Sequence, residues 1–312
     1  MTKGKLIVIA GTNASGKSSL GVQMAARFGG EVISADSRQV FQRLDLGSGK
    51  ITKEEMNGVP HHLIDVCRPG DFFSMADFQK LAYQAADDIL ARGKVPFLVG
   101  GTGLYVDNLI KGGEFAPTPS TGCREKLEER LQHEGLEALI EELRSIDPVA
   151  LQKSQNNPRR IIRALEVWQE TGETITAHNQ RTAALPPRFD PLWIGVDYVN
   201  RQDLYDRIDL RVRLMVKDGL LDEIRQVLSS GIPEKATAMQ AIGYKEFIDA
   251  MAGRATMEEA IAQVQQSSRR YAKRQLTWFK RNEKIHWLRR APGQAAEEIF
   301  SAAFQLARNF DK

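Results

Sequence analysis

Short apolar runs alternate with stretches of helical periodicity along the first third of the chain. KLIVIA (5–10) is an apolar, β-rich run that feeds straight into a glycine-rich loop. Beyond that loop Leu20, Met24 and Phe28 recur at four-residue spacing, which predicts a helix. EVISAD (31–36) predicts a short strand ending on an acid, and HHLIDV (61–66) a third strand. Residues 74–92 carry Met75, Phe78, Leu81, Ala82, Ala85 and Ile89 on one helical face. VPFLVGG (95–101) is another apolar strand ending in glycines, and helix-like LYVDNLI follows it. Strands alternating with helices in this way predict a parallel sheet with helices on both faces.

The rhythm breaks at GGEFAPTPSTG (112–122), where Gly and Pro mark a boundary. From Cys123 to about Thr171 the pattern is helical. It is acidic at first, with eight Asp/Glu against four Lys/Arg over 124–147. Pro158 suits a first helical turn and starts a helix there. DPLWIGVDY (190–198) restores an apolar strand, read as the last of the first domain's sheet. That makes 116–188 a helical insertion into a core of 1–115 and 189–312. Residues 201–312 read as helices throughout.

Composition narrows this little. A 42% hydrophobic and 27% charged chain of 312 residues is long enough for one large or two ordinary folded domains. The net charge of +3 excludes no partner. The apolar run before the glycine loop is too short for a signal peptide, and no window approaches a membrane span. Two cysteines, Cys67 and Cys123, suggest a reducing compartment. A cytoplasmic protein is expected.

The strongest chemical motif is Gly11-Thr12-Asn13-Ala14-Ser15-Gly16-Lys17-Ser18, with the G-x-x-x-x-G-K-[ST] spacing of a phosphate-binding loop. Its glycines let backbone N–H groups converge on phosphate oxygens, Lys17 adds positive charge, and the Ser18 hydroxyl suits Mg²⁺. A hydrolytic P-loop enzyme also wants an apolar strand ending in a metal-organising Asp. Here FLVGG ends in Gly100-Gly101-Thr102-Gly103, and Asp65 sits on a shorter strand. Thr102 reads either as a hydroxyl for a ligand or as a turn residue. Asp36 ends the strand after the P-loop helix, so it faces the same crevice. It reads as a metal ligand, a holder of a substrate hydroxyl, a proton acceptor or a helix cap, with polar Ser37, Arg38 and Gln39 beside it.

Basic residues cluster elsewhere. Arg159, Arg160 and Arg163 fall within about one helical turn. Residues 269–290 hold nine Lys/Arg against the single acid Glu283, interleaved with Tyr271, Trp278, Phe279 and Trp287. Cations with aromatics are the footprint of nucleic-acid contact, although an amphipathic helix with its aromatics in the core gives the same pattern. Arg207 and Arg211 share one helical face, with Arg213 turned away. MQAIGYKEF (239–247) is a glycine-kinked run in a helical region, and His61-His62 reads as structural.

GTNASGKS, ISADSRQVF, PHHLIDV, FLVGGTGLY, RRIIRALEVW, the RI-x-x-R pair at 207–211, QAIGYKE and AKRQLTWFKR occur in this order. Together they resemble the tRNA dimethylallyltransferases (tRNA isopentenyltransferases) from residue 5 to about 290. The resemblance implies an α/β, P-loop NTPase-like fold: a parallel sheet flanked by helices, with a mainly helical insertion domain and a helical C-terminal part. It implies transfer of the dimethylallyl group from dimethylallyl diphosphate to N6 of the adenosine 3′ to the anticodon (position 37), releasing diphosphate. Gly11 to Ser18 would grip that diphosphate, with Mg²⁺ on Ser18. Asp36 would act as base or hydrogen-bond acceptor for the amine, while Thr102 and Arg211 would stabilise the leaving group. Contacts to tRNA would come from Asp36, Ser37, Arg38, Gln39, Thr102 and Arg124. Arg159, Arg160, Ile161, Ile162, Arg163, Gln240, Ala241, Ile242, Gly243, Tyr244 and Lys245 would add further tRNA contacts.

Two departures stand out. The family's loop more often reads G-P-T-A-S-G-K-T, where Thr12-Asn13 and Ser18 stand here. The sequence also lacks the C-terminal zinc finger of eukaryotic members, so it looks like a bacterial-type enzyme; separately, a monomer with no membrane attachment is expected. Rival readings are a P-loop kinase of a small molecule or nucleotide, and a non-catalytic RNA-binding regulator.

Overall fold

The computed structural model describes residues 4–113 and 121–310. Its backbone falls into two compact units, Met1–Ile110 with Arg188–Lys312, and Lys111–Pro187. The expected boundary at 115/116 lies outside the described residues.

In the first unit the order is β1 (Gly4–Gly11), α1 (Lys17–Arg27), β2 (Glu31–Ser34), α2 (Lys53–Met56) and β3 (His61–His62). Next come α3 (Met75–Ala91), β4 (Pro96–Gly100) and α4 (Gly103–Lys111). The second unit carries α5 (Cys123–Glu134), α6 (Leu136–Ile146), α7 (Pro148–Ser154), α8 (Pro158–Thr171) and α9 (Ile175–Ala183). The chain returns as β5 (Phe189–Tyr198), α10 (Arg201–Lys217), α11 (Leu220–Ser229), α12 (Lys245–Met251) and α13 (Met257–Phe279). It finishes with β6 (His286–Arg290) and α14 (Ala296–Phe310).

All six strands pair in parallel, in the order β3-β2-β4-β1-β5-β6. β1 lies between β4 and β5, with Ile9 opposite both Val99 and Ile194. It is apolar on both faces because both are covered. Leu6 and Val8 pack with Phe78, Leu98 and Val106 on one side. Ile7 and Ile9 pack with Met24, Phe97 and Ile299 on the other. A third core, from Val212, Ile224, Tyr244, Phe247 and Val264, knits α10 to α13 together.

Two expectations need correction. The C-terminal part is not all helical: α13 stops at Phe279, and 286–290 pairs with β5, placing Leu288 opposite Val196. β5 is therefore not the last strand. The basic residues around 280–290 disguise β6, because an edge strand is buried on only part of its surface. HHLIDV is also shorter than read. Only His61 and His62 pair, opposite Val32 and Ile33, and left-handed backbone at Leu63 (φ 64°) and Asp65 (φ 57°) ends the strand. His62 bonds Glu31 Oε2 at 2.8 Å and His61 Nδ1 meets the Val59 carbonyl, so both histidines serve the fold. Arg92 and Lys94 complete the shell of buried Glu31, and their hydrogen bonds, Arg92's foremost, hold its carboxyl well below the usual range.

The second unit has its own core of Leu127, Leu139, Leu143, Ile161 and Leu165. α8 begins as its proline demands: Pro158 occupies the first turn, and the Asn157 side chain accepts from the Arg159 and Arg160 N–H groups. Among the described residues no helix is long and apolar enough to cross a membrane. Both cysteines are buried and unbridged.

Candidate active site

β1, β2 and β4 all end at the same sheet edge, and the crevice beyond those carboxyl ends is where open parallel sheets bind ligands. The P-loop leaves β1 there. Ala14 (φ 62°) and Gly16 (φ 92°) take left-handed backbone that curls the loop into the start of α1. Lys17 is buried and donates to the Thr12 carbonyl at 3.2 Å. Burial lowers its pKa to about 8, with Asp36 opposing and Arg211 adding to that effect.

Gln275 of α13 fastens this loop to the glycine turn after β4. Its Oε1 accepts the Asn13 N–H at 2.9 Å, and its Nε2 donates to Gly101 O at 3.0 Å and Asn13 Oδ1 at 3.3 Å. The Asn13 departure thus supplies an acceptor that Gln275 uses. A side chain on Gly101 would meet Gln275 Nε2 at 2.3 Å, which explains the glycine. Thr12 Oγ1 and Ser15 Oγ are buried, with no hydrogen-bond partner among the described residues.

Asp36 is half-buried, and its Oδ1 accepts the Arg38 N–H at 2.9 Å. A turn follows it, not a helix, so the residue caps a turn while its second oxygen stays available. Thr102 serves the turn after β4 and lines neither cavity described below. Its N–H reaches Ala35 O, its carbonyl starts α4, and its hydroxyl accepts the Ser37 N–H at 3.1 Å. Ser37 and Thr102 are thereby brought together. Gln39 Nε2 and Arg211 Nη2 both donate to the Gly49 carbonyl, at 3.3 and 3.1 Å. Arg211 is half-buried, and burial lowers its pKa against the pull of Asp36.

Two cavities meet along Lys17, Ser18, Gly49 and Arg211. One, of about 350 Å³, is lined by Asp36, Arg38 and Tyr271, with an apolar wall that includes Val212, Met215 and Phe247. The other, of about 620 Å³, reaches Arg207 and Glu55. Arg213 lines neither, as the helical spacing anticipates. Asp65 lines neither and pairs with Lys50.

Other sequence candidates divide. Of the four aromatics in 269–290, Tyr271 alone lines a described cavity, and burial, then the charge of Asp36, pushes its phenol up. Phe279 is core, and Trp278 and Trp287 pack against that core. Arg269 pairs with Asp209. In the QAIGYKE run, Gln240 and Lys245 are exposed, Ile242 is half-buried, and Ala241, Gly243 and Tyr244 are buried. In the second unit Ile161 and Ile162 point into its core, Arg159 and Arg160 are exposed, and Arg124 and Arg163 both pair with buried Glu166. Gln275, Glu223 and Gly49 were missed by sequence reading. Only Gln275 falls inside a recognisable motif, AKRQLTWFKR.

Among the described residues no cluster of three His, Cys, Asp or Glu could cage a metal ion. The exposed Ser18 hydroxyl beside the cavities suits Mg²⁺, which commonly completes its shell with water and substrate phosphates.

A P-loop, two nearby cations and an acid around one crevice define a protein that grips a phosphorylated compound and acts beside it. The chain belongs to the IPP transferase family, whose model matches residues 39–282, and an isopentenyl transferase model matches 4–68. It is 46% identical over 286 residues to a tRNA dimethylallyltransferase of Thermoanaerobacter sp. (strain X514), covering 91% of each chain. It is also similar to a full-length tRNA isopentenylpyrophosphate transferase from Bacillus halodurans. That crystal structure has a TM-score of 0.74 and 41% identity, covering 99% of this chain and 97% of the other. A eukaryotic dimethylallyltransferase acting on tRNA superposes with a TM-score of 0.81 at 29% identity, covering 98% of this chain and 80% of its own. The chain is a transferase of this family.

Proposed function

We propose that this chain transfers the dimethylallyl group of dimethylallyl diphosphate to N6 of adenosine 37 in tRNA. One observation carries the reading: an acid, the buried Lys17 and half-buried Arg211 cations and an apolar wall face a single cavity of about 350 Å³. These are the three environments that an amine, a diphosphate and an allylic chain require. The N6 nitrogen attacks C1 of the allylic group, and the C1–O bond breaks with its electron pair going to diphosphate. The amine proton passes to Asp36. Lys17, Arg211 and the Thr102 hydroxyl act where negative charge develops, so they favour the transition state over the ground state. Mg²⁺ on Ser18 and the phosphates would neutralise further charge. The adenine must leave its stack to reach the cavity, the usual solution when chemistry targets a base. Ser37, Arg38, Gln39 and Gln240 line the same cavity and suit contacts with the flipped nucleotide. Arg124, Arg159, Arg160 and Arg163 are carried over from the family as tRNA contacts, whereas Ile161 and Ile162, also expected as contacts, are buried in the core of their unit.

Incubation of unmodified tRNA with dimethylallyl diphosphate or with ATP, followed by nucleoside mass analysis, tests this. Prenylated adenosine with the first donor alone is expected. ATP turnover without tRNA would replace the reading with a kinase, and tRNA binding without product would replace it with a regulator.

The depressed Lys17 pKa gives a second expectation. Diphosphate prefers the charged amine, so its affinity is greatest below about pH 8 and falls as pH rises through that value. The Lys17→Arg variant keeps its charge and lacks this fall. Calorimetric titration of inorganic diphosphate into both proteins from neutral to alkaline pH checks it. Parallel profiles would show that Lys17 is not the titrating group.

A further inference from the structure

Glu223, on α11, lies outside the lining of both cavities, yet it is the most heavily bonded carboxylate near them. Its Oε2 accepts the backbone N–H groups of Asp45 and Leu46 at 2.9 and 2.7 Å. Its Oε1 accepts from the Gly47 N–H at 3.2 Å and the Tyr244 hydroxyl at 2.6 Å. Burial and the nearby carboxylate push the Tyr244 phenol above its ordinary value, so it stays a donor.

The chain of bonds continues toward the site. The peptide unit that gives the Leu46 N–H to Glu223 gives its own carbonyl, that of Asp45, to the Lys50 N–H at 2.8 Å. The Lys50 N–H shares its peptide unit with the Gly49 carbonyl, which in turn accepts from Arg211 Nη2. Successive peptide units polarise one another in such a series, so the anion at one end strengthens the acceptor at the other. The Gly49 carbonyl makes the one hydrogen bond shown for the Arg211 side chain among the described residues.

Packing leaves the loop little slack. A side chain on Gly47 would meet the Tyr244 ring at 2.4 Å, and one on Gly49 (φ 57°) would meet Arg211 Nη2 at 1.5 Å. Tyr244 itself is fully buried, which gives the QAIGYKE motif a function inside the fold.

We infer that Glu223 is a positioning residue: through Leu46 and the Gly49 carbonyl it fixes the Arg211 guanidinium at the cavity wall. This rests on the reading of Arg211 as the group that stabilises the departing diphosphate. Glu223→Gln keeps the shape but turns an NH₂ toward backbone N–H donors, so the 45–49 loop relaxes. Small misplacements of a catalytic group are costly, and kcat is expected to fall about ten- to a hundred-fold with KM for tRNA unchanged.

The test is a double-mutant cycle of Glu223→Gln and Arg211→Ala, read by single-turnover prenylation of tRNA. If Glu223 acts through Arg211, adding Glu223→Gln to Arg211→Ala slows the reaction no further. Tyr244→Phe, which removes one bond while keeping the ring against Gly47, should show a smaller loss that vanishes in the same background. Additive losses, or an unchanged kcat in Glu223→Gln, overturn the inference while leaving the Arg211 assignment intact. A normal rate in Arg211→Ala overturns both.

Discussion

Asp36→Asn should lower the single-turnover rate of tRNA prenylation by about 10²- to 10⁴-fold, the range expected for loss of a general base. The substitution is clean because the structural duty of Asp36 survives it. An asparagine Oδ1 still accepts the Arg38 N–H, so the turn that presents Ser37, Arg38 and Gln39 is retained. What disappears is the oxygen able to take the amine proton and the negative charge beside Lys17 and Arg211. tRNA binding should change little. Because Asp36 raises the Lys17 pKa, the alkaline loss of diphosphate affinity should move to lower pH in this variant. Single-turnover rates at saturating donor, with tRNA binding measured separately, check the first part. A rate within about tenfold of the parent would reduce Asp36 to a turn cap, since a general base contributes at least about 10²-fold.

Arg211→Ala should cost about 10²- to 10³-fold in kcat, as does removal of a preorganised donor from a developing oxyanion. The half-buried guanidinium is held in place by the Gly49 carbonyl, so it needs little reorganisation when the allylic C–O bond breaks. Its removal should not unfold the loop, because Gln39 Nε2 still donates to the same carbonyl at 3.3 Å. The loss should therefore appear in the chemical step and not in thermal stability. Added guanidinium ion should restore part of the rate by occupying the vacated position. A variant with reduced tRNA affinity and normal single-turnover rate would make Arg211 an RNA contact instead.

Local pattern carried much of the architecture because its causes are local. β1, β4 and residues 192–196 of β5 are buried on both faces, so each reads as a continuous apolar run, while β2 shows only Val32 and Ile33 between polar residues. The P-loop shows as glycines at fixed spacing, because Gly16 needs left-handed backbone that few residues adopt. The basic-aromatic stretch was harder. Its charges hid β6, and the same pattern served aromatics that enter the core and one, Tyr271, that faces the cavity. Nothing along the chain separates those cases, since burial is decided by what packs opposite.

By itself, then, the sequence determined an alternating α/β chain with a phosphate-gripping loop, an acid at the next strand end and helical arginines at four-residue spacing. Those features depend on contacts a few residues apart and on the period of the backbone. Only the tertiary structure decided that Gln275 joins the P-loop to Gly101, and that Glu223 reaches Arg211 through the 45–49 loop. Each of those links spans a long stretch of chain and passes through backbone N–H and carbonyl groups. Every residue carries those groups, so no side-chain pattern can announce them before the chain has folded.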